Sequence, residues 1–585
     1  MAVMKRIAVV IFSAVTTLTL PIAAQHDAQQ HAGPVSDEGL GRVHMDISCS
    51  AAVAADFDRA LALLHNFWYA RAFERFNQVA AREPGCAMAY WGAAMTYNHP
   101  FWDPPSQADE TAAWALVQKG LGAHEASPRE KLYLAAVTAL FYKAGAGSKQ
   151  VRDRQYRDAM AAAYAKFPDD ETKLFYGLSI LGAVQEGGTG FEPQAQAAAL
   201  FEEVHRHQPD HPGVLHYLIH AYDDPNHAQQ GLDAARAYAK TAAAVPHALH
   251  MPSHIFTRLG YWDESAATNL KGWDISEADV KRAGESGAYR DFHNLEYLEY
   301  AYIELGRFRD AQHTVDIVTT QFNALRDKTT AADSPELQSR HVRGRTIYAV
   351  PDRVIYAYFD MLTRLLVESG QWDNIDSIPL VIQSRDFVAA KLQWQAKAAA
   401  VRKDANAAKA AAAQLAALAR ESGQHPFAQL IIGLQAIEAD AFAAEAAGDS
   451  AAAVAKLKEA VAKEDSIDDL SQPPYPVIPA NELLGEFLLT LNRPADATVC
   501  FENALRRTPN RPMAVFGLAR AAQALGENEA ARKRYVQFLG IWRAADPDRR
   551  ELAAANAFLR GPSVRRVIVQ YPLERERGPG TPRPH

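Results

Sequence analysis

The sequence predicts an all-α chain of antiparallel helix pairs stacked as a solenoid, and three observations carry that prediction. β-branched alternation is scarce while alanine is abundant, above all between Ala389 and Ala462, which favours helix throughout. A spacing of small residue, aromatic, small or apolar residue and proline recurs along the chain. Glycines mark turns between the helical stretches. A chain of 585 residues is too long for one ordinary core. A stack of hairpins avoids that limit, because each unit touches only its neighbours.

The recurring spacing is Ala72, Phe76, Val79, Pro84, then Ala197, Phe201, Val204, Pro209, and again Ala497, Phe501, Ala504, Pro509. Small residues let two helices approach, the aromatic fills the gap to the next hairpin, and proline ends one hairpin before the next helix begins. Turns between paired helices read Leu259-Gly260-Tyr261 and, with one residue inserted, Leu305-Gly306-Arg307-Phe308. Gly370, Gly448 and Gly526 mark further turns of that kind. On these residues the chain resembles the tetratricopeptide-repeat family over most of Cys49 to Asp546, and most of all its long exported bacterial members. The resemblance implies a right-handed superhelix whose first helices line a concave groove for a ligand or protein partner. It does not imply catalysis.

Taken in order, residues 1–24 read as a signal peptide: Lys5 and Arg6, an apolar run from Ile7 to Leu20, then Ala23 and Ala24 before the expected cut. An uncleaved anchor is the rival reading. Residues 25–39 are a polar, flexible leader. N-terminal hairpins fill 40–181, interrupted by the rigid His99-Pro-Phe-Trp-Asp-Pro-Pro105 stretch. Central repeats occupy 195–321, Ala-rich helical repeats 346–465 and C-terminal repeats 480–560. The stretch from Asp327 to Arg345 is a loop or an irregular helix, and 574–585 a disordered tail. The expected location is periplasmic or secreted, with no membrane span once the signal is cleaved.

Composition narrows the function. With 48% hydrophobic and 22% charged residues and a formal net charge of −8, the chain has no basic block, which argues against a nucleic-acid partner. Three cysteines and no Cys-x-x-Cys argue against zinc-ribbon and thioredoxin-like chemistry. In an oxidising compartment Cys49 and Cys86 are the candidate disulfide, since one flanks the first hairpin and the other opens the next. Sequence alone does not fix that connectivity. The chain also lacks His-Glu-x-x-His, Gly-x-Ser-x-Gly, a phosphate loop and a dinucleotide fingerprint, so no common enzyme class is indicated.

The chemistry gathers in the central repeats. His216 and His220 are four residues apart, as are His250 and His254, and His293 precedes Glu296 by three. Offsets of three, four and seven share one helix face. Gly260 lies ten residues after His250 and six after His254; Gly306 lies ten after Glu296 and six after Tyr300. His247 precedes His250 as His293 precedes Glu296. His216, His220, His250, His254, His293, Glu296 and Tyr300 are therefore the predicted ligand-binding residues on one wall of the groove. Pro252 puts the helical placement of His250 in question, because proline suits a first turn.

Three readings stand open. The wall binds a peptide, protein or small polar ligand, making the chain an interaction scaffold. Alternatively His216, His220, His250, His254 and His293 hold a transition metal (zinc, copper or iron), with hydrolase or oxidase chemistry within reach. Or the histidines are a hydrogen-bonded structural network.

Overall fold

The computed structural model describes residues 39–561, except 102–104, 124–125, 143–146, 185–189, 327–339, 343–344, 348–349, 381–384, 422–425 and 468–476. The predicted signal peptide, most of the leader and the tail lie outside the described residues. The architecture is all-α, with 25 α-helices in the described residues, most consecutive ones packed on each other as hairpins. One departure falls in the polar stretch after the central repeats. There Arg340–Val342 and Arg345–Ile347 pair as a small antiparallel hairpin, with Arg340 opposite Ile347.

The recurring sequence spacing acts as expected from packing. Ala72, Phe76 and Val79 are fully buried, as are Ala197, Phe201 and Val204 and, in the last repeats, Ala497 and Phe501. Each aromatic lies against a glycine of a neighbouring helix. A Cβ at Gly92 would overlap the Phe76 ring, one at Gly177 the Phe201 ring, and one at Gly485 would come within 2.9 Å of Phe501. The helices approach closely because those positions carry no side chain.

The chain divides into two compact units. The first comprises residues 1–185, 192–214 and 277–290; the second comprises 186–191, 215–276 and 291–585. The division cuts the predicted central segment rather than following its ends. Within the first unit, Cys49 and Cys86 are joined by a disulfide with their Cα atoms 5.1 Å apart. Cys49 lies just before the helix Ala51–His65, and Cys86 is the N-cap of Ala87–Met95.

In the second unit the turns at Gly260 and Gly306 have the same form. Tyr261 N–H donates to Phe256 O and Arg307 N–H to Tyr302 O, both at 2.8 Å. Both glycines have a left-handed backbone, φ 69° and 71°. C-terminal hairpins cover these two turns. Trp262 Nε1 donates to Asn510 O at 2.9 Å, Trp542 Nε1 to Glu304 O at 3.0 Å, and Asp546 N–H to Gly306 O at 3.0 Å. Arg511, fully buried, reaches Glu304, Glu368 (2.7 Å) and Glu482 (2.7 Å). The helix that ends at Glu304 is therefore fixed at its C-terminus, and its N-terminal half carries His293.

Candidate metal centre

Four helices bring together six histidines, all of them residues of the second unit. Pro212–Tyr222 carries His216 and His220; Pro246–His250 carries His247 and His250; Pro252–Leu259 carries His254; Phe292–Glu304 carries His293. Pro252 does not leave His250 in a loop. Met251 is helical (φ −53°, ψ −39°), so the short helix runs directly into the next with Pro252 in its first turn. The hydroxyl of Ser253 donates to His250 O at 2.6 Å, giving that carbonyl a partner beside the proline. His247, His250 and His254 thus keep the three- and four-residue offsets of one face. Asp291 caps the helix of His293, its carboxylate accepting from Asn294 N–H at 3.3 Å and Asn294 Nδ2 at 2.7 Å.

The histidines form two sets of three, His216 with His220 and His247, and His250 with His254 and His293, each with its nearest donor atoms within 4.8 Å of one another. In the first set Nε2 of His216 lies 3.1 Å from Nε2 of His220 and 3.2 Å from Nε2 of His247. The His216 ring stacks on Tyr238, with centroids 5.2 Å apart. Burial, and then the facing His216, hold His220 and His247 well below the ordinary imidazole pKa, which keeps both neutral.

In the second set Nε2 of His250 lies 2.9 Å from Nε2 of His254. The other nitrogens meet oxygen. His254 Nδ1 is 2.8 Å from Asp223 Oδ2, His250 Nδ1 is 3.0 Å from Asn269 Oδ1, and His293 Nδ1 is 3.2 Å from Glu296 Oε2. Asp223 remains ionised: burial opposes this, but Arg258 and then His254 outweigh it and hold its pKa far below the usual carboxylate range. Asn269 donates through Nδ2 to Ser265 O at 2.8 Å, which fixes its Oδ1 as the acceptor. The Nδ1–H groups of His250 and His254 thus donate to Asn269 and Asp223, and the Nε2 atoms of the two rings face each other. Tyr297, fully buried, backs the set, its ring centroid 4.7, 5.0 and 5.1 Å from those of His250, His254 and His293.

Imidazole nitrogens at about 2.0–2.1 Å from one ion stand roughly 2.9 Å apart at right angles and about 3.3 Å apart in a tetrahedron. The Nε2 separations of 2.9, 3.1 and 3.2 Å span that interval. Oxygen acceptors on the far nitrogens are the outer partners that metal-bound imidazoles usually have.

Of the predicted site residues, the structure gathers His216, His220, His250, His254 and His293. Glu296 stands behind His293 and binds its Nδ1. Tyr300 lies elsewhere: it is fully buried, with the Arg364 guanidinium 5.2 Å from its ring centroid and Trp262 edge-on at 5.5 Å. Sequence reasoning left out His247, Asp223, Asn269, Tyr238 and Tyr297. His247 had a signal in its three-residue spacing from His250; the others had none.

A third group, His65, Glu171 and His211, belongs to the first unit and is fully buried. Here the partners are complementary. Glu171 accepts from His65 Nε2 at 2.9 Å and from His211 Nε2 at 3.0 Å, while His211 Nδ1 accepts from Val214 N–H at 3.3 Å. Burial opposes the Glu171 charge, yet the two imidazoles hold its pKa well below the ordinary value. This is a network of complementary donors and acceptors.

No protein-family model and no curated protein matches the chain. Among solved structures it is similar to a human IFIT1 dimer with PPP-AAAA, at 11% identity over 89% of this chain and 99% of that one, with a TM-score of 0.32. It is also similar to a complex of Naa15 and Naa10 bound to HypK-THB, at 11% identity over 86% of this chain and 90% of that one, with a TM-score of 0.27. Likenesses this weak carry nothing about ligand or partner. Among the described residues no helix is long and apolar enough to cross a membrane.

Proposed function

We propose that this chain is a metal-binding protein on a helical-repeat scaffold, its ions held by His216, His220 and His247 and by His250, His254 and His293. The observation that carries the reading is the facing pair of Nε2 atoms of His250 and His254 at 2.9 Å, each ring with its proton committed to an oxygen at Nδ1. Two facing imidazole nitrogens of this kind are satisfied when a cation lies between them. A transition-metal ion meets that need for three nitrogens at once, and nitrogen-only ligation favours copper or zinc over magnesium, calcium or manganese. The stacked hairpins supply the rigid frame on which such a set keeps its geometry.

Export to the periplasm or beyond is part of this proposal. The Cys49–Cys86 disulfide supports it, because such bonds persist in oxidising compartments.

The test is elemental analysis of the untagged chain, followed by titration with zinc, cobalt and copper. A bound transition metal whose content falls in His254→Ala and is unchanged in His211→Ala is the expected result. A chain that binds none of the three ions would overturn the reading, and the histidine groups would then be structural.

A further inference from the structure

The two trihistidine sets adjoin. Ring centroids of His216 and His247 are 5.1 Å apart, those of His247 and His250 6.2 Å, and those of His250 and His293 4.4 Å. The six imidazoles form one unbroken series from His220 through His216, His247 and His250 to His254 and His293. Among the described residues neither set includes a carboxylate. Two acids engage the far nitrogens of the rings: Asp223 binds Nδ1 of His254 and the Arg258 guanidinium (2.9 Å), and Glu296 binds Nδ1 of His293. The inner rings, His216 and His250, are fully buried, while the outer edge is open, His293 being 35% exposed and His254 17%.

We propose, resting on the metal-binding reading above, that the two sets together form a dinuclear copper centre that takes up dioxygen. The argument is one of charge. Repulsion between two ions scales with the product of their charges, so two monovalent ions repel each other four-fold less than two divalent ions at the same separation. Six neutral ligands offer nothing to offset two divalent ions, and centres for paired zinc, iron or manganese ions ordinarily rely on carboxylates for this. An all-imidazole pair suits cuprous copper, which is also the softest of the available ions. On oxidation to two cupric ions the centre needs an anion, and dioxygen supplies one. Each cuprous ion gives up one electron, dioxygen gains both, its double bond becomes the single bond of peroxide, and no proton moves. His293 and His254 are partly exposed, which makes theirs the side from which a diatomic ligand would reach the ions.

The experiment loads the full chain anaerobically with a cuprous acetonitrile complex, measures bound copper, then admits air while following oxygen uptake, near-ultraviolet absorption and electron paramagnetic resonance. The expected result is about two coppers per chain and about one dioxygen consumed per two coppers. An intense near-ultraviolet band should appear, with the cupric resonance suppressed by coupling of the two ions. Hydrogen peroxide added to the fully cupric protein should give the same species, a check that needs no variant. His220→Ala and His254→Ala, each confirmed folded by circular dichroism, should each retain about one copper and lose the oxygen-derived band.

Two coppers that oxidise to two independent, fully visible cupric signals would overturn the dinuclear proposal and leave the metal-binding reading in place. So would a single copper per chain, or two coppers that take up no oxygen. A chain that binds neither copper nor zinc would overturn both.

Discussion

Nε2 of His250 faces Nε2 of His254 across 2.9 Å, and the Nδ1 atoms of the same two rings are bound to Asn269 and Asp223. The contrast within this one molecule gives that relationship its meaning. In the buried group of His65, Glu171 and His211, imidazole N–H groups meet carboxylate oxygens, donor against acceptor. Between His250 and His254 nitrogen meets nitrogen, while Nδ1 of each ring is already engaged by an oxygen. One group is a structural brace and the other is built for a cation.

The outer partner makes the first prediction. Asp223→Asn keeps the shape beside His254 but removes the charge that orients its ring, so metal affinity should fall about 10- to 100-fold. Competition against a chelator of known strength measures this. Asp223 also binds Arg258 at 2.9 Å, so Arg258→Met is the control: it disturbs the same pair from the far side and should weaken the metal less. Equal losses in both variants would mean that the pair acts through folding alone.

The brace makes the second prediction. Glu171→Gln should leave metal content unchanged while lowering stability by about 3–5 kcal/mol, the usual cost of breaking a buried charged pair. The pH dependence follows from the sign of the shift. The Glu171 pKa is depressed in the folded chain, so its contribution is present above its unfolded value near 4.5 and is lost as pH falls toward the folded one. Denaturant melts of both proteins below pH 5 should therefore converge. Metal loss in Glu171→Gln would mean that the two groups are coupled.

The packing rule read from the sequence gives a third, paired prediction. A Cβ at Gly517 would overlap the Phe501 ring, whereas one at Gly433 meets nothing within 4 Å. Gly517→Ala should destabilise by about 1–3 kcal/mol through overpacking. Gly433→Ala should stabilise its helix by about 0.5–1 kcal/mol. Opposite shifts in thermal midpoint are the expected outcome, and shifts of one sign would contradict the close-approach account of the repeat.

Those glycines also mark how far the sequence could be read. Ala72, Phe76 and Val79 announce their own burial because a helix repeats its faces at fixed offsets, and Gly260 and Gly306 announce turns because the left-handed backbone selects glycine. The same local rules placed His216 beside His220 and His250 beside His254. They could not say which faces meet across a stack. The turn alignment paired His250 with Glu296 and His254 with Tyr300, yet the structure brings His293 to that set and buries Tyr300 against Arg364 and Trp262. Asp223 and Asn269 are single polar residues whose role exists only once distant helices have docked. Glu482 and Glu486, which share a helix face, find Arg511 and Arg520 only in the folded chain.

The last prediction concerns Arg511, which joins Glu304, Glu368 and Glu482 from sites 207, 143 and 29 residues away in the chain. One guanidinium cannot neutralise three buried carboxylates, so the folded state favours a proton on one of them. Burial, with Glu368 and Glu482 adding to it, pushes Glu304 up to about 8 in spite of Arg511, and burial likewise raises Glu482. A carboxyl raised in the folded chain contributes stability that is fully present below its unfolded value near 4.5 and is lost as pH rises through about 8. Stability in denaturant should accordingly decline from pH 5 to pH 9 by a few kcal/mol from this source. Glu304→Gln holds a neutral group in the same place, so it should flatten that decline and exceed the parent protein in stability at pH 9. If instead the variant is weaker than the parent at pH 9 and the slope persists, Glu304 is ionised in the folded chain and the surplus proton sits elsewhere in the network.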